Sequence, residues 1–556
     1  MNKKRVLIVG GVAGGATCAT RLRRLDEDAE IVVLERGPYV SFANCGLPYY
    51  VGDVIQAESK LLLAAPDLFR DRFRIDVRTR HEALEIDRST GMVSVMNLES
   101  GKTYREPYDA LVLSPGAVPI CPPWPGIDLP GIFTLRSVPD SRAIRHWIDT
   151  EYPRKAVVVG GGFIGLEMAE NLAHRGLKVT VVELADQLLP PLDPEISVYA
   201  QQRLESHGVT LELGDGVAGF EQRGHGLRVR SQGGAVFDAD LVVLAIGVRP
   251  ETMLARDAQL EIGKYGGIRV DDQLRTSDPR IWAIGDAVEV KNRVTGEWEL
   301  MPLAGPANRQ GRIAADVICG RPSHFDGSQG TAVCGFFGLT VALTGATEKA
   351  LRRAGIQDYA CAYLHPNQHV GYYPGAKAIH LKLLFRASDG RVLGAQAAGE
   401  EDVARRVDVI ATAIKMEATV FDLEELELCY APQFGAAKDP VNVAGMIAGN
   451  TLRGDVELAN WHNIDAPGAC LLDVREPVEF RAGSIPGAVN IPLHQLRSRL
   501  DELSKEREIW VTCGVGQRAY YACRILMQHG YHARNLSGGY STYEVIRPDV
   551  KEAIAK

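Results

Sequence analysis

The chain has 556 residues, 46% of them hydrophobic and 24% charged, which is ordinary for a globular protein and long enough for about three to five domains. Its 62 Lys and Arg against 70 Asp and Glu give a net charge of -8, which argues against general nucleic-acid binding, because such binding needs an excess of basic side chains. No apolar run approaches the roughly 18 residues of a membrane span, and ten cysteines are too few for a disulfide scaffold. The apolar run at 6–9 is too short for a secretory signal, so we expect a cytoplasmic protein.

Two segments repeat one plan, in which a strand is followed by a glycine turn, a helix and a second strand that ends in an acidic residue. The first has strands at 5–9 and 31–35 around a turn at 10–15, and the second has strands at 156–159 and 178–183 around a turn at 160–165. This pattern is the βαβ fingerprint of dinucleotide binding, present here in two copies. The residues that it singles out are Gly10, Gly15 and Glu35 in the first copy and Gly160, Gly162, Gly165 and Glu183 in the second.

The chemistry of a dinucleotide explains this spacing. Glycines allow the backbone to turn sharply and to approach a pyrophosphate, whose charge meets the N–H groups at the helix start. The acidic residue accepts hydrogen bonds from ribose hydroxyls. Two such sites in one chain predict FAD together with a nicotinamide dinucleotide. Because Glu183 would repel a 2′-phosphate, NADH is favoured, and NADPH is kept as the alternative.

Further elements follow in chain order. Residues 111–116 and 241–247 predict buried strands that end in glycine turns, and 281–286 predict another that ends in Gly-Asp. Alternating strands over 330–445, with a helix near 403–416, predict an α+β domain. A glycine-containing break at 449–455 precedes a last segment of about a hundred residues, enough for a domain by itself.

A cysteine follows the first βαβ unit, in the run Ser41-Phe-Ala-Asn-Cys45. It lies near the start of a predicted helix, whose dipole is expected to stabilise the thiolate. The flanking cysteines are Cys18 and Cys121, too distant in sequence to predict an internal redox disulfide. We therefore expect Cys45 to react with an external partner, either as a mixed disulfide with a thiol or with oxygen as a sulfenic acid.

This run, with the two dinucleotide motifs, resembles the single-cysteine flavin disulfide reductases, which include coenzyme A disulfide reductase, NADH peroxidase and water-forming NADH oxidase. The resemblance covers residues 1–445. The peroxidase and oxidase members carry a histidine in the first glycine turn, where this chain has Ala13. The segment Tyr430-Ala-Pro-Gln-Phe with Lys438, and the pair Tyr372-Tyr373, resemble the coenzyme A branch instead. The resemblance implies a homodimer in which these tyrosines and the lysine reach the partner's cysteine and ligand.

The resemblance also implies site residues. Glu35 and Asp286 would bind the ribose and the ribityl chain of FAD. Two departures from the family pattern are Phe73, at a lysine position, and Asn308, at a histidine position. Arg21 and Arg24 are one helical turn apart and so share a helix face. The residues that would contact coenzyme A are Arg21, Arg24, Ser41, Asn44 and Lys438.

The last segment resembles a single rhodanese domain over nearly its whole length, including 470–476, 483–492 and 511–518. Cys513 follows a predicted strand on a glycine-rich loop that closes at Arg518. Successive N–H groups of such a loop form an anion-binding nest, and Arg518 adds a full charge, so a thiolate or persulfide on Cys513 would be stabilised.

We therefore expect an α/β protein with two Rossmann-like FAD/NAD(P)-binding domains, an α+β dimerisation domain and a C-terminal α/β rhodanese domain. The expected boundaries are 1–118 and 246–325 for the FAD-binding domain, 119–245 for the NAD(H)-binding domain, 326–447 for the dimerisation domain and 455–556 for the rhodanese domain.

The expected function is NADH-dependent reduction of coenzyme A persulfide, polysulfide or coenzyme A disulfide through Cys45, with sulfane sulfur carried on Cys513. Coenzyme A would be a substrate or a bound carrier, and Tyr372 and Tyr430 would protonate the leaving thiolate or orient the pantetheine arm. Two alternatives are an NADH oxidase or peroxidase, against which Ala13 argues, and a sulfur-trafficking protein with rhodanese activity only. We expect no metal site and no nucleic-acid or membrane partner.

Overall fold

The computed structural model of the chain describes residues 3–459, 461, 464 and 468–546. These residues form two compact units, one from the residues through Asp186 with Gly208–Gly330, the other from Gln187–His207 with the residues from Thr331 onward. The predicted α/β class is confirmed. The four-domain division stays a prediction, and residues 547–556 of the predicted rhodanese domain lie outside the described residues.

The first unit contains two parallel five-stranded sheets, and each sheet carries one glycine turn on its central strand. Both central strands are apolar runs buried on both faces, with Leu7, Ile8 and Val158 at 0% exposure, as parallel sheets covered by helices require. In spatial order, the strands are Ile281–Ala283, Ala110–Leu113, Arg5–Val9, Glu30–Glu35 and Asp76–Thr79 in the first sheet, and Thr210–Leu213, Lys178–Glu183, Lys155–Val159, Leu241–Leu244 and Ile132–Thr134 in the second.

Smaller antiparallel sheets, short strand pairs and seven helices complete the described part of this unit. The remaining strands are His81–Asp87, Met92–Asn97, Thr103–Pro107, Ala117–Pro119, Val217–Arg223, Gly226–Ser231, Val236–Ala239, Val248–Pro250, Ile268–Arg269, Val288–Lys291 and Trp298–Leu300. The helices are Ala13–Leu25, Leu47–Val51, Pro66–Phe73, Val138–Glu151, Phe163–His174, Met253–Asp257 and Ala304–Ile318.

The second unit contains an antiparallel sheet and a parallel sheet. The antiparallel sheet has the spatial order Ala332–Phe336, Leu339–Gly345, Val392–Gly399, Ile379–Phe385 and Ala360–Leu364, with the helices Pro194–Ser206, Glu348–Arg353, Val403–Lys415, Val420–Glu425 and Pro440–Leu452. The parallel sheet has the order Glu457–Ala459, Ala533–Leu536, Ile509–Thr512, Cys470–Asp473 and Val489–Asn490, with the helices Pro477–Ala482, Gln517–Gln528 and Gly539–Ile546.

The predicted break at 449–455 is wrong at its start. Gly449 lies inside the helix Pro440–Leu452, which packs against the helix Val420–Glu425. Gly449 is buried within this helix, so it does not mark a chain break. No helix among the described residues is both long and apolar enough to cross a bilayer.

Candidate active site

Both glycine turns have the backbone geometry that dinucleotide binding requires. Gly10 and Gly160 have φ of +96° and +109°, and a Cβ on either would overlap the carbonyl of the neighbouring strand's following residue, Ser114 or Ala245. Gly162 differs, because a Cβ there would meet no atom within 4 Å. The fold therefore does not require a glycine at this position, whereas close approach by a pyrophosphate would.

The acidic residues of the two copies have matching contacts. Glu35 Oε2 accepts from Gly11 N at 2.9 Å, and Oε1 accepts from Gly37 N at 2.7 Å. Glu183 repeats the pattern, with Oε2 accepting from Gly161 N at 2.6 Å and Oε1 from Ala185 N at 2.8 Å. Each carboxylate is thereby held beside its glycine turn, so the residues present fit a dinucleotide at both sites.

We expect alanine substitutions to separate these two roles of glycine. Gly162→Ala should leave the midpoint of thermal unfolding nearly unchanged but raise the KM for NADH by about tenfold, because the new methyl enters only the space of the ligand. Gly165→Ala should lower the unfolding midpoint, since its Cβ would overlap the carbonyl of Gly160. Calorimetry and NADH kinetics on both variants check this, and equal unfolding midpoints would contradict it.

Cys45 lies in the short turn Asn44–Gly46, directly before the helix Leu47–Val51, and it is exposed. The expectation that this helix stabilises the thiolate is not supported. Packing around the sulfur, then the carboxyl groups of Glu167 and Asp286, raise the pKa of Cys45, and only its own backbone N–H lowers it. These contributions oppose the stabilisation expected from the helix start.

The two carboxyl groups that raise the pKa of Cys45 belong to segments next to the two nucleotide-binding sheets. Asp286 follows the edge strand Ile281–Ala283 of the first sheet, and burial raises its pKa. Glu167 lies on the helix that follows the second glycine turn, and its Oε1 accepts from Tyr49 Oη at 3.1 Å. Burial raises the pKa of Glu167 as well. Neither Glu167 nor Tyr49 was identified from sequence, although a carboxylate on that helix was a detectable signal.

The predicted coenzyme A residues of the first unit have different surroundings. Arg21 donates from Nε and Nη2 to Oδ1 of Asp316 at 2.9 and 2.8 Å, whereas Arg24 is exposed. Ser41 has φ of +49°, and its backbone N–H donates to the Gly11 carbonyl at 2.9 Å. The structure thus links Ser41 directly to the first glycine turn.

Asn44 has a partner that sequence reasoning missed. With its amide oriented to match these neighbours, Asn44 donates to the carbonyl of Arg136 and accepts from Nη1 of the same residue, both at 2.9 Å. The positive charge of Arg136 also opposes the rise in the pKa of Asp286. Arg136 precedes the helix Val138–Glu151 and is about ninety residues from Asn44 in sequence, so no local pattern could indicate the contact.

In the second unit, the structure brings the two predicted tyrosines together. The hydroxyls of Tyr372 and Tyr430 are 3.1 Å apart, and the two side chains are 74% and 48% exposed. This hydrogen bond raises the pKa of Tyr372. Lys438 is exposed and precedes Asp439, which is buried and paired with Arg406. The tyrosine pair therefore presents two hydroxyls at one exposed surface.

Cys513 follows the strand Ile509–Thr512, and its Sγ accepts from Gly516 N at 3.2 Å. The side chain is 1% exposed, and one loop N–H reaches the sulfur. Arg518 lies beside it but donates to both carboxylate oxygens of Glu479, at 2.7 and 2.6 Å. The predicted full charge of Arg518 is thus shared with Glu479. The hydrogen bonds from Arg518 lower the pKa of Glu479 to about 2.

Within the described residues, no three His, Cys, Asp or Glu side chains are arranged to hold a metal ion.

Three protein-family models match the chain. They are pyridine nucleotide-disulphide oxidoreductase over 4–311, the dimerisation domain of the same class over 331–439, and rhodanese-like domain over 457–545.

Similar proteins agree with these matches. Reduced Bacillus anthracis CoADR-RHD has a TM-score of 0.97 and 47% identity over 99% of both chains. The NAD-dependent persulfide reductase from A. fulgidus has a TM-score of 0.90 and 37% identity, over 97% of this chain and 100% of that chain. Coenzyme A disulfide reductase from Staphylococcus haemolyticus is 34% identical over 80% of this chain and 98% of its own length. This chain belongs to the pyridine nucleotide-disulphide oxidoreductase family, with a rhodanese-like domain following its dimerisation domain.

Proposed function

We propose that this protein uses NADH to reduce coenzyme A persulfide, polysulfide or coenzyme A disulfide through Cys45. The observation that carries the proposal is the position of Cys45, an exposed thiol on a segment that Ser41 joins to the first glycine turn and Tyr49 joins to Glu167, on the helix after the second. A thiol on a segment that contacts both dinucleotide-binding units suits electron transfer from NADH to an external sulfur compound. The names of the Bacillus, A. fulgidus and Staphylococcus proteins support the same substrate class.

FAD, when bound, supplies the two-electron chemistry between NADH and sulfur. The Cys45 thiolate attacks coenzyme A persulfide, either at the outer sulfur, which releases coenzyme A thiolate, or at the inner sulfur, which releases hydrosulfide. Either attack leaves a sulfur–sulfur bond on Cys45, in a persulfide in the first case and in a mixed disulfide with coenzyme A in the second. Two electrons and one proton reopen that bond and restore the thiolate. The net reaction takes coenzyme A persulfide, NADH and one proton to coenzyme A, hydrogen sulfide and NAD⁺.

The candidate residues have defined parts in this scheme. Glu35 and Asp286 would hold FAD, Glu183 the NADH ribose, and Ser41 and Asn44 the coenzyme A arm beside Cys45. Arg21 and Arg24 would meet the phosphates of coenzyme A, which requires Arg21 to be shared with Asp316. On this scheme the four predicted domains keep the boundaries given above.

We further propose that two subunits share each active site, with Tyr372, Tyr430 and Lys438 acting on the partner's Cys45. The exposed hydroxyl pair supports this, because its outer face is open to another chain. A heterodimer of a Cys45→Ser subunit and a Tyr372→Phe/Tyr430→Phe subunit tests it. A shared site predicts about half of the wild-type activity, because one of the two sites then has both wild-type parts. A heterodimer no more active than the two mutant homodimers would contradict sharing.

In the rhodanese-like domain, Cys513 would receive sulfane sulfur and pass it to coenzyme A. The thiolate attacks a donor persulfide, forms Cys513 persulfide and releases the donor thiolate. The transfer to coenzyme A thiolate restores Cys513 and generates the substrate of Cys45. We expect the fusion of both centres in one chain to raise the local concentration of coenzyme A persulfide at Cys45.

Anaerobic NADH consumption distinguishes the alternatives. We expect coenzyme A persulfide to support NADH oxidation with stoichiometric sulfide, and mass spectrometry of released ligands to find FAD. Rapid NADH oxidation with oxygen alone, together with sulfenic acid on Cys45, would favour an oxidase. Sulfur transfer without NADH turnover would favour a trafficking protein.

A further inference from the structure

The segment after the last rhodanese strand, 537–542, touches the Cys513 loop on one side. Tyr540 N donates to the Cys513 carbonyl at 2.7 Å, and Ser541 N donates to the Gly514 carbonyl at 2.9 Å. Gly539 has φ of +61°, and a Cβ there would lie 2.8 Å from Gly516 N. Gly516 N is the donor that reaches the Cys513 sulfur. The position of segment 537–542 therefore sets the position of the sulfur-binding loop.

The other side of segment 537–542 contacts the antiparallel sheet, outside the rhodanese-like domain. Tyr363, on the edge strand Ala360–Leu364, donates its backbone N–H to Ser537 Oγ at 2.8 Å, and that hydroxyl donates to the Tyr363 carbonyl at 3.3 Å. Thr542 Oγ1 lies 2.8 Å from His365 Nε2. A Cβ on Gly538 would lie 2.9 Å from Tyr363 Cβ. Segment 537–542 thus joins this edge strand to the Cys513 loop.

The edge strand is itself anchored from behind. Tyr363 Oη donates to Glu195 Oε1 at 2.9 Å, and Glu195 is paired with Lys382, which is 0% exposed. His365 Nδ1 lies 2.8 Å from His380 Nδ1, and the His380 ring stacks on Tyr199 at 4.0 Å. Glu195 and Tyr199 belong to the helix Pro194–Ser206.

The contact is also a shared apolar core. Tyr363 packs in one buried cluster with rhodanese side chains, among them Trp461, Leu536 and Tyr543. Trp461 Nε1 donates to the Ser537 carbonyl at 2.7 Å. A domain held through its own core and through buried hydrogen bonds is docked in place and is not loosely tethered.

We propose that Ser537 and His365 are positioning residues for sulfur transfer at Cys513, so that the antiparallel sheet shapes the rhodanese site. The proposal rests on the function proposed for Cys513. Its distinctive consequence is that a residue outside the rhodanese-like domain controls the rate of sulfur transfer.

The test uses the full chain, thiosulfate as donor and cyanide as acceptor. Cys513 thiolate takes the outer sulfur of thiosulfate and releases sulfite, and cyanide then removes that sulfur as thiocyanate. We expect Ser537→Ala and His365→Phe each to lower kcat for thiocyanate formation by about tenfold, because each leaves a buried group of the contact unpaired. The KM for thiosulfate and NADH turnover through Cys45 should stay within about twofold of wild type.

Ser498→Ala is the matched control, since it removes a hydroxyl of the rhodanese-like domain that lies outside segment 537–542 and donates to the Gln495 carbonyl at 2.8 Å, and it should keep the wild-type kcat. Unchanged kcat in both test variants would overturn the inference alone. Loss of NADH turnover or of the folded state in parallel with kcat would also overturn it, because the effect would then be structural. A wild-type protein that transfers no sulfur would overturn it together with the role of Cys513.

Discussion

Replacing Cys45 with Ser is expected to lower kcat for NADH-dependent reduction of coenzyme A persulfide by on the order of 10³-fold or more. A serine hydroxyl does not ionise at neutral pH and cannot form the disulfide bond that the two electrons reopen. Sulfur transfer by Cys513 should be unaffected, since its reaction uses another domain. NADH absorbance under anaerobic conditions gives the first rate, and thiocyanate formation gives the second.

Cys121→Ser is the matched control for this variant. Cys121 is also an exposed thiol of the first unit, but no role is assigned to it. Its replacement should leave both activities within about twofold of wild type. Turnover of the Cys45→Ser variant at the wild-type rate would refute the assignment of Cys45, and an equal loss in both variants would mean that the thiols act only in stability.

Replacing Cys513 with Ala is expected to abolish thiocyanate formation, with a loss on the order of 10³-fold or more. NADH turnover on supplied coenzyme A persulfide should persist within about twofold, because the substrate then bypasses the rhodanese site. A persulfide is stabilised by N–H donors and a nearby cation, and Cys513 has the Gly516 N–H and the adjacent Arg518, which is shared with Glu479.

Cys523→Ala controls for loss of a thiol from the same core. Cys523 is fully buried, and burial raises its pKa far above the ordinary value, so it should carry no sulfur. Its substitution should reduce stability slightly and leave sulfur transfer intact. Sulfur transfer that survived Cys513→Ala but not Cys523→Ala would reverse the assignment.

Local patterns predicted the nucleotide-binding elements well, for a physical reason. Strands buried on both faces need uninterrupted apolar runs, and the following turns need glycine, so sequence alone located the strands Arg5–Val9 and Lys178–Glu183. The helix predicted near 403–416 is confirmed as Val403–Lys415. Gly449 wrongly predicted a chain break, because a buried glycine inside a helix has the same signature in the sequence.

The site was less predictable, because its electrostatics depend on contacts between distant segments. Glu167 and Arg136 are far from Cys45 and Asn44 in sequence, so the rise in the pKa of Cys45 was not foreseeable from the helix rule. The contact between Tyr363 and Ser537 spans 174 residues. Sequence periodicity predicts helices, strands and their buried faces, but tertiary packing determines which side chains come into contact.

Mass spectrometry of the Cys45 peptide tests the electron path most directly. The full-length Cys513→Ala variant with bound FAD is incubated anaerobically with coenzyme A persulfide. The sample is then divided into two halves, of which only the second receives NADH. We predict that Cys45 gains one sulfur or one coenzyme A in the first half and returns to the free thiol in the second. A Cys45 peptide that is unmodified in the half without NADH, while the other half consumes NADH, would contradict the account.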